Sequence, residues 1–214
     1  MKAIAINGSP RKNWNTAQLL ESAQRGAASV GAQTELIHLY DLNYRGCVSC
    51  FGCKRKGAIP CRCYLNDELS PVLERVLEAD VLLLGSPIYF GNVTGQMRCF
   101  LERLAFITMT YDDYAQRIFP GHIHCAFFFT MNADDRYKAL YQPVMESSAG
   151  LLANLGGSTQ YYAATDTLQF EDYSKYHAAG FSEEQKRGRR QEQFPKDLTA
   201  AFDIGKELTQ RARR

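Results

Sequence analysis

Apolar residues in this chain fall into two kinds of stretch: short unbroken runs, and longer segments where they return every three or four positions. The first run, Lys2-Ala3-Ile4-Ala5-Ile6, predicts a strand. Leu19, Leu20, Ala23, Ala27 and Val30 follow at helical spacing, and Gly31 ends that helix. Thr34 to Tyr40 reads as a second strand, with His38 an edge or packing residue. Periodicity is lost from 41 to 66. It returns in Leu69, Val72, Leu73, Val76 and Leu77, a helix that Asn66 or Asp67 would cap. Ala79 to Gly85 is apolar without alternation, as a strand buried on both faces requires. Met97, Phe100, Leu101 and Leu104 form the next helix face. A connection with Tyr111 and Tyr114 leads to Ile123–Met131, the most apolar strand of the chain. Val144, Met145, Leu151, Leu152 and Leu155 predict another helix, closed by Gly156-Gly157, and Thr159 to Ala164 a fifth strand. Asp166 to Pro195 is polar and aromatic, with Tyr173, Tyr176, Phe181 and the basic run Lys186-Arg187-Gly188-Arg189-Arg190. Leu198, Ala201, Phe202 and Leu208 face inward on a final helix.

Strands that alternate with helices pair in parallel through right-handed crossovers. Five of them predict a doubly wound α/β sheet with helices on both faces. The pattern divides into a body over 1–165 and a polar arm with the last helix over 166–214, belonging to the same domain. The arm is too apolar in places for plain disorder and is expected to wrap a neighbour or cover the site. Its basic run reads first as a solvated helix face. Ligands of such sheets bind at the carboxyl ends of the strands. Loops after the first, third and fourth strands therefore converge on one crevice.

Composition narrows the partners. With 214 residues and a net charge of +2, nothing points to nucleic acid or an anionic membrane. The first strand begins at residue 2 and no apolar run is long enough to span a bilayer, so a cytoplasmic location is expected. Of seven cysteines, five (Cys47, Cys50, Cys53, Cys61 and Cys63) fall in one short segment, which in such a chain suggests metal or redox chemistry rather than a disulfide scaffold. Cys99 and Cys125 lie in apolar elements and read as core.

The first loop, Asn7-Gly8-Ser9-Pro10-Arg11-Lys12-Asn13-Trp14-Asn15-Thr16, leads from a buried strand into a helix start. A helix N-terminus with nearby hydroxyls is an anion site. Ser9, Asn15 and Thr16 can donate to phosphate oxygens and Arg11 adds charge; the alternative is an ordinary helix capped by Asn15 or Thr16. In the loop Ser86 to Gly95, Pro87, Gly91 and Gly95 permit tight turns, Tyr89 and Phe90 offer flat faces, and Asn92 with backbone N–H groups can meet a heteroaromatic edge. A phosphate site beside an aromatic slot suits FMN better than ATP, since no lysine is placed for β- and γ-phosphates. Packing of Tyr89 and Phe90 beneath the next helix is the competing reading.

Together, GSPRKNWNT and SPIYFGNVTGQMRCFLER resemble the NADPH-dependent FMN reductase family of flavodoxin-like proteins. The resemblance implies a flavodoxin-like five-stranded parallel sheet of order 2-1-3-4-5, bound FMN, NAD(P)H as co-substrate, and a homodimer or homotetramer. It places Ser9, Arg11, Asn15 and Thr16 on the FMN phosphate, and Pro87, Ile88, Tyr89, Phe90, Gly91 and Asn92 along the isoalloxazine. Trp14 stands where many members carry glycine; its indole would shield the phosphate or pack against a neighbouring subunit. The activity implied is hydride transfer from NAD(P)H through FMN to a small acceptor such as a flavin, quinone or nitroaromatic. The flavin carries that chemistry, so no catalytic side chain is expected.

Cys47-x-x-Cys50-x-x-Cys53 followed by Cys61 resembles the pattern of iron–sulfur flavoproteins, a branch of the same fold. That resemblance implies a [4Fe–4S] cluster and an electron-transfer protein with a protein partner. Free or redox-active thiols, zinc and a disulfide stay open beside it. Lys54, Arg55, Lys56 and Arg62 are expected to lower the thiol pKa values.

Overall fold

The computed structural model describes residues 1–113 and 116–213; Tyr114 lies outside the described residues. Its centre is a parallel sheet built from β1 (Lys2–Asn7), β2 (Gln33–His38), β3 (Val81–Tyr89), β5 (Ile123–Thr130) and β6 (Gly156–Ala164), in the order β2-β1-β3-β5-β6. Between β3 and β5 lies one short addition, β4 (Asn92–Val93), which folds back antiparallel on the end of β3. Without β4, the order is the flavodoxin-like 2-1-3-4-5.

The unbroken apolar runs are explained by which side each residue serves. Ile4, Ile6, Leu82, Leu84, Phe127 and Phe129 enter one core with α2 (Leu69–Leu77), α3 (Gly95–Thr108) and α4 (Lys138–Gly150). Ala3, Ala5, Val81, Leu83, Ala126 and Phe128 enter the other, with α1 (Asn15–Ser29) and α6 (Phe194–Arg211). Phe127, Phe128 and Phe129 are wholly buried; each such side chain contributes about 1.5–3 kcal/mol.

The alanine-rich face lets helices lie close to the sheet, and glycines let them lie close to each other. A Cβ on Gly26 of α1 would strike the carbonyl oxygen of Phe202, and one on Gly205 of α6 would strike that of Ala23. The terminal helix is thereby locked to the first and shares its core. Other local expectations hold. Gly31 terminates α1 with a positive φ of 84°, and the Asp67 carboxylate accepts from Leu69 and Ser70 N–H at the start of α2. His38 bonds Asn7 across β1 and β2 at 3.0 Å. Cys125 is buried, whereas Cys99 is half-buried rather than core. Burial pushes the Cys125 thiol up to about 12.

The arm departs most from its sequence pattern. It contains a helix, α5 (Glu183–Glu192), capped by the Ser182 hydroxyl, which accepts from Gln185 N–H. Among the described residues, no helix is long and apolar enough to cross a membrane.

Candidate functional site

The loop between β1 and α1 is turned by its own polar side chains. Asn7 Oδ1 accepts from Ser9 N–H at 2.9 Å, and Ser9 Oγ accepts from Arg11 N–H at 3.1 Å, so the Ser9 hydroxyl proton is left to donate elsewhere. The α1 N-terminus receives no cap: Trp14 stands at the capping position without a side-chain bond, and the first turn has no acidic residue. The capped-helix alternative is therefore not what forms. A 15-residue helix thus opens into the crevice with its first N–H groups unserved by a cap side chain, as an anion site requires.

Opposite stands the hairpin of β3 and β4. Phe90 and Gly91 form its two-residue turn at φ values of 51° and 77°. This is the geometry such hairpins favour, but a left-handed phenylalanine costs about 1–2 kcal/mol. The turn places Phe90 wholly exposed at the crevice mouth beside the partly exposed Tyr89. The two loops are tied together: Thr94 Oγ1 donates to Gly8 O at 2.7 Å and accepts from Met97 N–H at 3.2 Å, while Ser86 Oγ accepts from Thr94 N–H at 3.1 Å.

Ser9, Arg11, Asn15, Thr16, Pro87, Ile88, Tyr89 and Phe90 all line this crevice of about 230 Å³. Gly91 and Asn92 do not; they shape the turn, and Asn92 Oδ1 accepts from Val93 N–H. Thr130 at the end of β5 and Met131 and Asn132 just after it also line it, with Thr167 and Gln169 of the arm. The sequence marked the loop after the fourth strand without assigning these residues, and Thr167 and Gln169 carry no local signal. Asn132 Oδ1 is buried without a hydrogen-bond partner. A buried polar atom of this kind requires a partner, and the polar edge of a planar ligand supplies one. Burial raises the Tyr89 pKa and Arg11 offsets part of the effect, so its hydroxyl stays a donor at neutral pH. Uncapped N–H groups, an orphaned acceptor and exposed rings together fit a flavin mononucleotide.

The arm covers this site. The Leu168 carbonyl accepts from both Trp14 Nε1 (3.0 Å) and Asn15 Nδ2 (2.9 Å), and the Gln169 carbonyl from Arg11 (2.5 Å). Asn15 and Arg11 thus each commit a donor to the arm. Of the basic run, only Arg187 stays exposed. Lys186 is buried, with Nζ 2.5 Å from both Asp166 Oδ1 and the Asn132 carbonyl. Arg189 reaches Asp135 and Thr165, while Arg190 donates to Asn15 Oδ1 and Gln18 Oε1 and lies 4.0 Å over the Phe194 ring.

The cysteine segment is held by Arg103, a buried residue of α3. Its guanidinium donates to Asp67 Oδ2 (2.5 Å), Ser70 Oγ (2.7 Å), Cys63 Sγ (3.2 Å) and the Arg45 carbonyl (3.3 Å). Burial alone would raise the Asp67 pKa, but the bonds and charge of Arg103 hold it below the usual range. Cys47, Cys50, Cys53 and Cys63 border one recess of about 20 Å³, whereas Cys61 borders a different hollow. Among the described residues, no group of three or more His, Cys, Asp or Glu could hold a metal ion. As placed, the thiols do not fit a [4Fe–4S] cluster. The expected depression of thiol pKa is also reversed at Cys53 and Cys61, where burial raises them and Lys54 only partly compensates.

The fold and crevice define a flavodoxin-like α/β protein with a mononucleotide site. The sequence model of the NADPH-dependent FMN reductase family matches residues 1–125 of the 214, and the chain belongs to that family. An iron–sulfur flavoprotein of Methanocaldococcus jannaschii is 39% identical over 103 residues, 48% of this chain and 51% of that protein. Another from Archaeoglobus fulgidus is 37% identical over 119 residues, 56% of each. The chain spans about half the length of these curated relatives. Among solved structures, an NAD(P)H:quinone oxidoreductase from Methanothermobacter marburgensis superposes with a TM-score of 0.66 at 14% identity, covering 97% of this chain and 96% of that one. A flavone reductase reaches 0.64 at 15% identity, covering 100% and 63%. At such identities these two attest the fold.

Proposed function

We propose that the protein is an FMN-dependent oxidoreductase that oxidises NAD(P)H and reduces a small acceptor such as a flavin, quinone or nitroaromatic compound. The observation that carries this is the crevice itself, where the uncapped start of α1 faces the exposed Tyr89–Phe90 hairpin. Bound there, FMN would supply the redox chemistry between a reduced nicotinamide and the acceptor. The chain's own residues bind and orient. The first N–H groups of α1, with the Ser9 and Thr16 hydroxyls and Arg11, hold the phosphate. Pro87, Ile88, Tyr89 and Phe90 flank the ring, Asn132 Oδ1 takes a hydrogen bond from its edge, and the arm excludes water from the phosphate end. Gly91 and Asn92 act by setting the hairpin. No side chain is assigned proton transfer.

An absorption spectrum of anaerobically purified protein, before and after NADPH, tests this. Two resolved flavin bands that bleach on reduction are expected, and Ser9→Ala with Thr16→Val should weaken FMN retention. Absence of a flavin signal after incubation with FMN would sink the proposal. The wholly exposed Phe90 is the kind of side chain a second protomer covers, so assembly as a homodimer or homotetramer, in the cytoplasm, belongs to the same proposal. Light scattering measures the assembly.

The relatives' names favour a second reading, an iron–sulfur flavoprotein passing single electrons to a protein partner, with a cluster on Cys47, Cys50, Cys53 and Cys61. The thiol placement stands against it, because Cys61 borders a different hollow from the other three. Stoichiometric iron and sulfide, lost in Cys61→Ser, would establish it.

A further inference from the structure

Next to the crevice lies a larger hollow of about 470 Å³, bordered by Arg11 and Trp14 on one side and by Phe170, Glu171, Lys175 and Tyr176 of the arm on the other. It shares Arg11, Trp14 and Gln169 with the crevice, so the two adjoin along these residues. Resting on the FMN reading, we infer that this hollow takes the adenosine diphosphate half of the reduced nicotinamide dinucleotide while the nicotinamide reaches into the crevice.

Size comes first: the volume lies in the range of about 300–1,000 Å³ usual for small-molecule sites. Its walls are aromatic. The Phe170 and Tyr176 rings stack at 4.0 Å and 13°, and Tyr176 remains more than half exposed. Trp14 is held by its indole bond to Leu168, and the Arg11 guanidinium carbon lies 5.7 Å from the Trp14 ring centre and 6.0 Å from that of Phe170. Flat walls of this kind stack a purine. The charges suit a nucleotide. Arg11 stands at the wall common to both hollows, where a pyrophosphate linking the two halves would cross. Lys175 is exposed, and its ion pair to Asp172 (3.4 Å) is a weak surface pair that a phosphate can displace. Glu171 and Asp172 balance the two cations, which suits a nucleoside with ribose hydroxyls better than a bare polyphosphate.

The test uses the FMN-loaded protein and a Lys175→Ala/Tyr176→Ala variant, positions outside the crevice. Calorimetric titration with 5′-ADP should show binding that the variant weakens roughly tenfold, the order of one lost stacking contact. The KM for NADH and NADPH should rise by a similar factor at unchanged kcat. The KM for reduced nicotinamide mononucleotide, which lacks the adenosine half, should stay within about twofold. Lys175→Glu, a single change at an exposed position, should move the same quantities in the same direction. Equal ADP binding in wild type and variant, or KM values for dinucleotide and mononucleotide that shift together, would overturn the inference. A protein that takes up no FMN refutes the proposed function instead, and the ADP titration still decides the hollow.

Discussion

Replacing Lys186 with methionine removes a charge that the fold encloses, and the consequence can be worked from the structure. Lys186 and Asp166 side chains are 4% and 10% exposed, and their charged atoms stand 2.5 Å apart. The Lys186→Met change keeps length and bulk but leaves the Asp166 carboxylate, among the described residues, with one side-chain hydrogen bond, from Gln185 Nε2 at 3.1 Å to Oδ2. Stranding a buried charge in this way costs about 3–5 kcal/mol. Asp166→Asn is the complementary change, because asparagine tolerates the φ of 54° that Asp166 adopts. Removing both charges leaves nothing stranded, so the double variant should regain most of the loss, giving a coupling of about 2 kcal/mol or more. For a domain of this size 1 kcal/mol shifts Tm by about 2–4 °C, so the single lysine variant should melt about 6–20 °C lower. Local opening of α5 would show first as faster hydrogen exchange over 183–192. Because Lys186 also holds the Asn132 carbonyl at the crevice, FMN retention should fall as well. A lysine variant melting within about 2 °C of wild type, or a double variant whose losses simply add, would refute the reasoning.

The other predictions concern packing, pH and the cysteine segment. Gly205→Ala places a methyl group on the Ala23 carbonyl and must push α6 off α1; a loss of about 1–3 kcal/mol in urea unfolding is expected, with FMN spectra little changed. His124 Nδ1 accepts the Ser158 N–H at 3.1 Å, and burial with Arg211 and His122 lowers its pKa. The unfolded chain then binds this proton first, so the histidine's contribution is present above about pH 6.5 and is lost as pH falls through the folded pKa; His124→Asn should flatten the stability profile there. Arg103→Met strips four hydrogen bonds from the 45–70 segment; thiol labelling of Cys63 should accelerate while the sheet, read by circular dichroism, persists.

What could be read in the sequence was local. Strand and helix periods, the two loops and the parallel winding each follow from neighbouring residues. What could not be read depends on partners distant in the chain. Arg189 and Arg190 look solvated until their carboxylate, amide and ring partners at 135, 15 and 194 are in place. The sequence suggested that basic neighbours would lower the cysteine pKa values, but proximity along the chain says nothing of burial, and burial dominates at Cys53 and Cys61.

The arm exposes the limit most clearly, because its docking is read by main-chain atoms. Leu168 and Gln169 meet Trp14, Asn15 and Arg11 through carbonyl oxygens, groups that every residue carries and no motif records. The same bonds change the meaning of the first loop. On the proposed function Arg11 serves the phosphate and also fastens the arm, so cofactor retention and arm closure should be coupled through it. Ligands and arm docking linked in this way must stabilise each other equally. FMN should slow hydrogen exchange across 167–176, and a Lys186 variant that undocks the arm should weaken FMN by at most the factor by which FMN tightens the arm.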